Sequence, residues 1–233
     1  IINCAAYTAV DQAESDPETA FRVNRDGARN LAQAAAGIGA ALLHISTDYV
    51  FDGAKAGAYL EEDLPSPLGV YGASKLAGEL GVRETLEEHY IIRAAWLFGL
   101  HGKSFPGTIL RLASEGKPLR VVNDQFGCPT YTVHLARILA KIIERPAYGL
   151  YHAVSGGACS WFEFARALLG EAGLEAELTP IPGSQFPTAA RRPANSVLDT
   201  GKLTRTFGLQ PPDWRQGVRE FVAEWKSRKR EPA

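Results

Sequence analysis

A tyrosine and a lysine four residues apart, Tyr71 and Lys75 in Tyr-Gly-Ala-Ser-Lys, are the side chains in this sequence best suited to proton chemistry. On a helix, positions i and i+4 share a face, so phenol and ammonium can reach one ligand. An unperturbed phenol titrates near about 10 and is a poor proton donor at neutral pH. A neighbouring ammonium stabilises the phenolate and lowers that value, which suits the phenol to protonate a carbonyl oxygen. Alone, the pair is most simply a surface contact. Its setting adds a second hydroxyl: Thr47 stands in Ser46-Thr47-Asp48-Tyr49, directly after the apolar run Ala41-Leu42-Leu43-His44-Ile45. In open parallel sheets the ligand crevice lies at the carboxyl ends of strands. A hydroxyl there could donate a second hydrogen bond to the oxygen that Tyr71 protonates. The plain alternative is a turn whose hydroxyls cap the strand.

The elements that must position these residues alternate. The chain opens on an apolar segment, Ile1-Ile2-Asn3-Cys4-Ala5-Ala6, which reads as a buried strand. Asp16-Pro17-Glu18 supplies an N-cap, a first-turn proline and a first-turn acid. The helix after it carries a stripe of Phe21, Asn24, Ala28, Leu31 and Ala35, and ends near Gly37 or Gly39. A helix over 71–86, a strand over 90–96, a helix over 108–114 and a strand over 119–122 follow. This order predicts parallel strands with crossover helices. Beyond about residue 125, prolines multiply and segments shorten. Ser160 and Glu163 form a capping box for a helix to about Gly173, and a last amphipathic helix from Asp213 carries Val218, Phe221, Val222 and Trp225. We read residues 1–124 as one domain and 125–233 as mainly a smaller lobe, with interleaved segments.

Composition excludes several classes. The 233 residues hold 25 basic and 26 acidic side chains, a formal charge of −1, which argues against a nucleic-acid or polybasic membrane partner. No apolar run approaches the length of a membrane span. Cys4, Cys128 and Cys159 are scattered, as expected of reduced thiols in the cytoplasm. His44 and His134 read as packing residues, and no HExxH spacing supports zinc. Ser74 lacks a nucleophile-elbow context, so a hydrolase is not supported. The basic residues from Lys226 to Arg230 read as a solvated helix end. The sequence has no methionine and begins abruptly in an apolar strand, which predicts that a preceding segment belongs to the intact protein.

Taken together, Ser46-Thr47-Asp48-Tyr49-Val50-Phe51-Asp52-Gly53 and Tyr71-Gly-x-x-Lys75 resemble the extended short-chain dehydrogenase/reductases and, more narrowly, the dTDP-4-dehydrorhamnose reductase family. The likeness spans nearly the whole chain. Asn3-x-Ala5-Ala6-Tyr7-Thr8-Ala9-Val10-Asp11, Asn24, Asp124-Gln125-Phe126-Gly127-x-Pro129-Thr130 and Arg192-Pro193-x-Asn195-Ser196-x-Leu198-Asp199 match further stretches in order.

The resemblance implies a Rossmann-like doubly wound α/β sheet, lacking its first part, with a smaller substrate-binding lobe. It implies NADPH- or NADH-dependent reduction of dTDP-4-dehydro-6-deoxy-L-mannose to dTDP-L-rhamnose. Catalysis would rest on Thr47, Tyr71 and Lys75. Ala5, Ala6, Tyr7, Tyr71 and Lys75 would hold the cofactor, while Thr47, Asp48, Tyr49, Trp96, Arg192 and Asn195 would hold the dTDP-sugar. On the residues alone Trp96 has the alternative of a core aromatic, and Arg191 and Arg192 the lesser alternative of a solvated turn. Magnesium and a homodimer enter by the resemblance only, and no carboxylate cluster provides for the metal. The family's glycine-rich turn is absent, and with it the residue that separates NAD from NADP. A dehydratase would want Asp-Glu after the threonine, where Asp48-Tyr49 stands. A non-catalytic subunit similar to the regulatory β subunit of methionine adenosyltransferase is the remaining alternative, against which Thr47, Tyr71 and Lys75 stand intact.

Overall fold

The computed structural model of the chain describes residues 1–102 and 104–230, the last two by backbone alone. The side chains of Lys229 and Arg230, part of the basic tail, therefore lie outside the described residues. The fold begins with β1 (Ile2–Asn3), then α1 (Val10–Ala13) and α2 (Pro17–Phe21), which runs through a π-helical turn at Arg22–Asp26 into α3 (Gly27–Gly37). β2 (Leu42–Thr47) ends in a 3₁₀ turn at Asp48–Val50, and α4 (Val70–Thr85) leads to β3 (His89–Ala94). The following part comprises β4 (Leu97–Phe98), α5 (Phe105–Ser114), β5 (Leu119–Val122), β6 (Phe126–Gly127), β7 (Thr130–Tyr131) and α6 (Thr132–Ile142). It continues through β8 (Gly149–His152), β9 (Cys159–Ser160), α7 (Trp161–Ala172), β10 (Leu178–Ile181), α8 (Gly201–Phe207) and α9 (Trp214–Arg230).

Four parallel strands form the main sheet in the order β1-β2-β3-β8. Strand periodicity sends alternate side chains to opposite faces. Leu42 and Ile91 therefore meet Ala28, Ala32 and Val82 from α3 and α4, while Leu43, Tyr90 and Ile92 meet Leu135, Ile138 and Ile142 from α6. Helices on both faces make the sheet doubly wound, as the resemblance implies. The strand at 119–122 departs from that expectation: β5 pairs with β10 outside the main sheet, and β8 takes the place beside β3. A second hydrophobic cluster is built on Phe98, Leu110, Phe164, Leu168, Trp214 and Phe221, and so draws on residues on both sides of position 125. Among the described residues no helix is long and apolar enough to cross a membrane.

Two other expectations shift. Ile1 and Ile2 are 47% and 48% exposed, and among the described residues β1 pairs with β2 alone. The helix expected from Asp16 is interrupted at Arg22–Asp26, and Ala20 and Ala32 are buried where Phe21 and Leu31 lie at the margin. The interruption has a visible cause in Asn24. Its Oδ1 accepts Tyr7 N–H at 2.8 Å, while its Nδ2 donates to Tyr7 O at 3.1 Å and to Ser74 Oγ at 2.9 Å. A buried amide that bonds three groups off its own helix favours a local widening of the turn there. The capping box at Ser160 and Glu163 forms as expected, and α7 ends in a left-handed Gly173.

On the α4 face of the sheet, Ser46 and Arg93 are register partners on β2 and β3. Both donate to Glu79 of α4: Arg93 by a fork of 2.9 and 2.7 Å, and Ser46 through its hydroxyl. Glu79 and Arg93 are each only 2% exposed. Tyr71, Lys75 and Glu79 follow at i, i+4 and i+8, so this pair anchors the helical face that carries the candidate residues Tyr71 and Lys75. Removing one partner of a buried pair strands the other charge. Glu79→Ala is expected to lose about 3–5 kcal/mol of stability by chemical denaturation, and a loss below about 1 kcal/mol would show that the pair does not anchor α4.

Candidate active site

At the carboxyl end of β2, the Thr47 hydroxyl accepts Tyr49 N–H at 3.2 Å and donates to Asp48 Oδ1 at 3.1 Å. It thus caps the 3₁₀ turn that follows. The facing start of α4 is held by Glu14, whose Oε1 accepts Val70 N–H at 2.8 Å. Gly72, next to Tyr71, lies so close to the Tyr49 carbonyl that any Cβ would overlap it. Only glycine permits that approach. It brings the Tyr71 phenol within hydrogen-bonding reach of Thr47, with the Tyr49 ring edge-on at 5.6 Å.

The electrostatics of this cluster are dominated by burial. Burial and the Asp48 carboxylate push Tyr71 up to about 12, with Thr47 pulling the other way. The phenol is therefore protonated at neutral pH. Burial lowers Lys75 to about 8, opposed by Glu79, and its Nζ donates to Ile45 O at 2.6 Å. This corrects the expectation that Lys75 depresses the phenol in the resting site. The ammonium runs down to the β2 backbone, and desolvation of the phenol prevails. Burial raises Asp48 to about 6, and hydrogen bonds from Ser196 and Thr47 only partly offset it. His44 is pushed down to about 3 by burial and then by Lys75, so it is neutral, with Nδ1 2.9 Å from Asn3 Nδ2.

The segment offered for a cofactor leaves β1 beside these groups. Cys4 and Ala5 are exposed, Ala6 and Tyr7 half-buried. Tyr7 is tied through Asn24 to Ser74, which sits between Tyr71 and Lys75 on α4. Small exposed side chains at a carboxyl edge, next to a phenol and an ammonium with one of its three N–H donors used, fit a dinucleotide's nicotinamide end. Among the described residues no group of three or more His, Cys, Asp or Glu side chains is placed to hold a metal ion.

Farther out, a cavity of about 340 Å³ is lined by Phe105, Arg120, Gln125, Trp161, Phe186 and Arg192, among others. Neither Thr47 nor Tyr71 lines it, so Arg192 is the link: it also hydrogen-bonds Tyr49 of the catalytic turn. Its guanidinium forks onto Asp11 at 2.8 and 3.1 Å, and Asp11 also accepts Ala190 N–H at 3.0 Å. Asn195 faces elsewhere, donating to Lys55 O at 2.8 Å and Gly57 O at 2.6 Å, and so braces the loop after the catalytic turn. Trp96 has φ +46°, a left-handed backbone in a non-glycine residue, which costs about 1–3 kcal/mol. Its indole stacks on Trp161 at 3.5 Å. Sequence reasoning passed over Asp11 as an ion-pair partner, and Phe105, Trp161 and Phe186 as cavity walls. Asp11 stood inside a quoted motif, but a contact 181 residues away leaves no local signal.

The profile of the RmlD substrate binding domain matches residues 1–227. The chain belongs to that family. A dTDP-4-dehydrorhamnose reductase of Sinorhizobium fredii is 43% identical over 233 residues, covering 95% of this RmlD-family chain and 79% of the relative. The spore coat polysaccharide biosynthesis protein SpsK of Bacillus subtilis is 40% identical, covering 97% and 80%. The crystal structure of a Bacillus anthracis dTDP-4-dehydrorhamnose reductase in complex with NADP superposes with a TM-score of 0.94 at 42% identity, covering 96% of this chain and 80% of that one.

The raised carboxyl of Asp48 carries a stability signature. Its folded value of about 6 lies above the unfolded 3.8, so the protonated form stabilises the fold and that contribution disappears as pH rises through about 6. Asp48→Asn is expected to melt with the wild type below about pH 4, to gain on it between about 4 and 6, and to hold a lead on the order of 2–3 kcal/mol above that. A pH-independent difference between the two melting curves would contradict this.

Proposed function

We propose that this chain carries the catalytic residues of an NAD(P)H-dependent dTDP-4-dehydrorhamnose reductase, which reduces dTDP-4-dehydro-6-deoxy-L-mannose to dTDP-L-rhamnose. The observation that carries the reading is the meeting of two hydroxyls, Thr47 and Tyr71, at the carboxyl end of β2, with the phenol still protonated at neutral pH. When bound, the nicotinamide supplies the hydride. Tyr71 donates its proton to the C4 oxygen of the sugar, and Thr47 orients that oxygen by a hydrogen bond. Lys75, charged below about 8, supplies positive potential one helical turn away as the phenol gives up its proton. Ala5, Ala6 and Tyr7, with Lys75, hold the cofactor. The buried Asp48, with Tyr49 and Trp96, borders the sugar. Arg192, already forked onto a carboxylate, has the geometry for a diphosphate. Free thiols at Cys4, Cys128 and Cys159 fit a reducing compartment, and we assign the reaction to the cytoplasm.

The decisive assay is keto-sugar-dependent NADPH oxidation by the full-length polypeptide containing these residues. Tyr71→Phe should reduce kcat by about a hundred- to ten-thousand-fold with the fold intact. A folded wild type that binds a nicotinamide cofactor without turnover would instead favour the regulatory-subunit reading.

The pH profile gives a second test. The ammonium is the active form, so kcat/KM should fall as pH rises through about 8, and Lys75→Arg should move that alkaline limb upward. An alkaline limb unaffected by Lys75→Arg would remove Lys75 from this role.

A further inference from the structure

Trp96 is held from two sides in a conformation it would not adopt alone. Its φ of +46° is left-handed, and its carbonyl accepts Thr130 N–H at 3.1 Å. One face of the indole lies parallel to Trp161, at 3.5 Å and 5°. The indole is also pressed against Gly127, where a Cβ would come within 2.5 Å of Nε1. Gly127 and Trp161 are brought together by secondary structure. β6 and β9 pair antiparallel with Gly127 opposite Cys159, and the Ser160–Glu163 capping box fixes Trp161 as the first residue of α7. Trp161 in turn tilts against Phe105 at 4.8 Å, and both line the 340 Å³ cavity, whereas Gly127 does not.

A strained backbone persists only where its surroundings over-determine it. Here the over-determining contacts are a stacked indole and a position where only glycine leaves room. We propose that Gly127 and Trp161 are positioning residues for the reduction. They clamp the Trp96 indole as a fixed wall at the sugar, and Trp161 couples that wall to the 340 Å³ cavity, to which the nucleotide part of the substrate is assigned because Arg192, with a guanidinium suited to a diphosphate, lines it. This rests on the reductase reading and on Trp96 bordering the sugar. The clamp acts on the reaction through Trp96. Its loss should therefore affect the keto sugar more than the nucleotide.

The test uses the full-length enzyme with Gly127→Ala, Trp161→Leu and Trp161→Phe. Its readouts are kcat and KM for the keto sugar, competitive inhibition by dTDP, and the far-ultraviolet exciton couplet of the stacked indoles. Gly127→Ala should raise the keto-sugar KM, or lower kcat, by about ten- to a hundred-fold while dTDP inhibition stays within about two-fold. Trp161→Leu should show the same sugar defect, lose the couplet and weaken dTDP as well, and Trp161→Phe should recover most of the sugar defect. Wild-type sugar kinetics in Gly127→Ala, or equal losses for sugar and dTDP in that variant, would overturn the proposal. If Gly127→Ala does not fold, identical kinetics for Trp161→Leu and Trp161→Phe would overturn it as well. A wild type that binds dTDP and shows the couplet but does not reduce the keto sugar would overturn the reductase reading, and the sugar role of the clamp with it.

Discussion

The Glu79 carboxylate, buried between α4 and the sheet, accepts from Arg93 and Ser46, two register partners on adjacent strands. Burying ions costs several kcal/mol each unless their hydrogen bonds are satisfied, so this arrangement tolerates one geometry and penalises others. It fixes both the rotation and the height of α4 against β2 and β3. Lys75 then falls one turn up, over the Ile45 carbonyl, and Tyr71 two turns up, at the level of Thr47. Close contacts complete the constraint. Gly78 lies against Asn24 O and Gly72 against Tyr49 O, at separations that no larger residue allows.

With α4 fixed, the turn after β2 becomes a place of electrostatic tension. Asp48 is buried beneath it with a raised carboxyl, and its charge raises Tyr71 and Tyr49 in turn. A phenol held above its ordinary value keeps its proton until a better acceptor arrives. That suits an acid that must protonate an alkoxide only as the alkoxide forms. The ammonium of Lys75 waits nearby on a backbone carbonyl, and its own depressed value makes its charge sensitive to mildly alkaline conditions. The same burial that destabilises the charges thus keeps the proton on the phenol for the role proposed for it.

Contacts between distant segments join this centre to the cavity. The fork of Arg192 on Asp11 ties the segment at 190–192 to α1, and Arg192 also reaches Tyr49. Val50 at the end of the turn and Phe51 after it pack with Tyr59, Ala95, Cys128, Val154 and Leu198, a cluster drawn from six separate stretches of chain. Thr47 and Tyr71 do not line the cavity, and Arg192, which lines it and reaches Tyr49, connects the two.

The elements were legible in the sequence because their causes are local. Asp16 and Ser160 cap their helices, Leu42 to Ile45 form a strand covered on both faces, and Tyr71 and Lys75 share a helical face through spacing alone. The family was legible for the same reason, in ordered runs of residues. Properties decided by distant neighbours were hidden. Nothing near Asn24 foretells that it bonds Tyr7 and Ser74 and widens its helix. Nothing near Arg192 foretells that Asp11 occupies its fork, and nothing near Asn195 that it serves Lys55 and Gly57. The proton affinity of Tyr71 belongs to the same group. Spacing suggested a phenol lowered by Lys75, but the folded chain desolvates it beside Asp48 and turns the lysine to the strand. Spacing along a helix fixes which groups can meet, whereas burial, which sets their charge, exists only once the whole chain has closed around them.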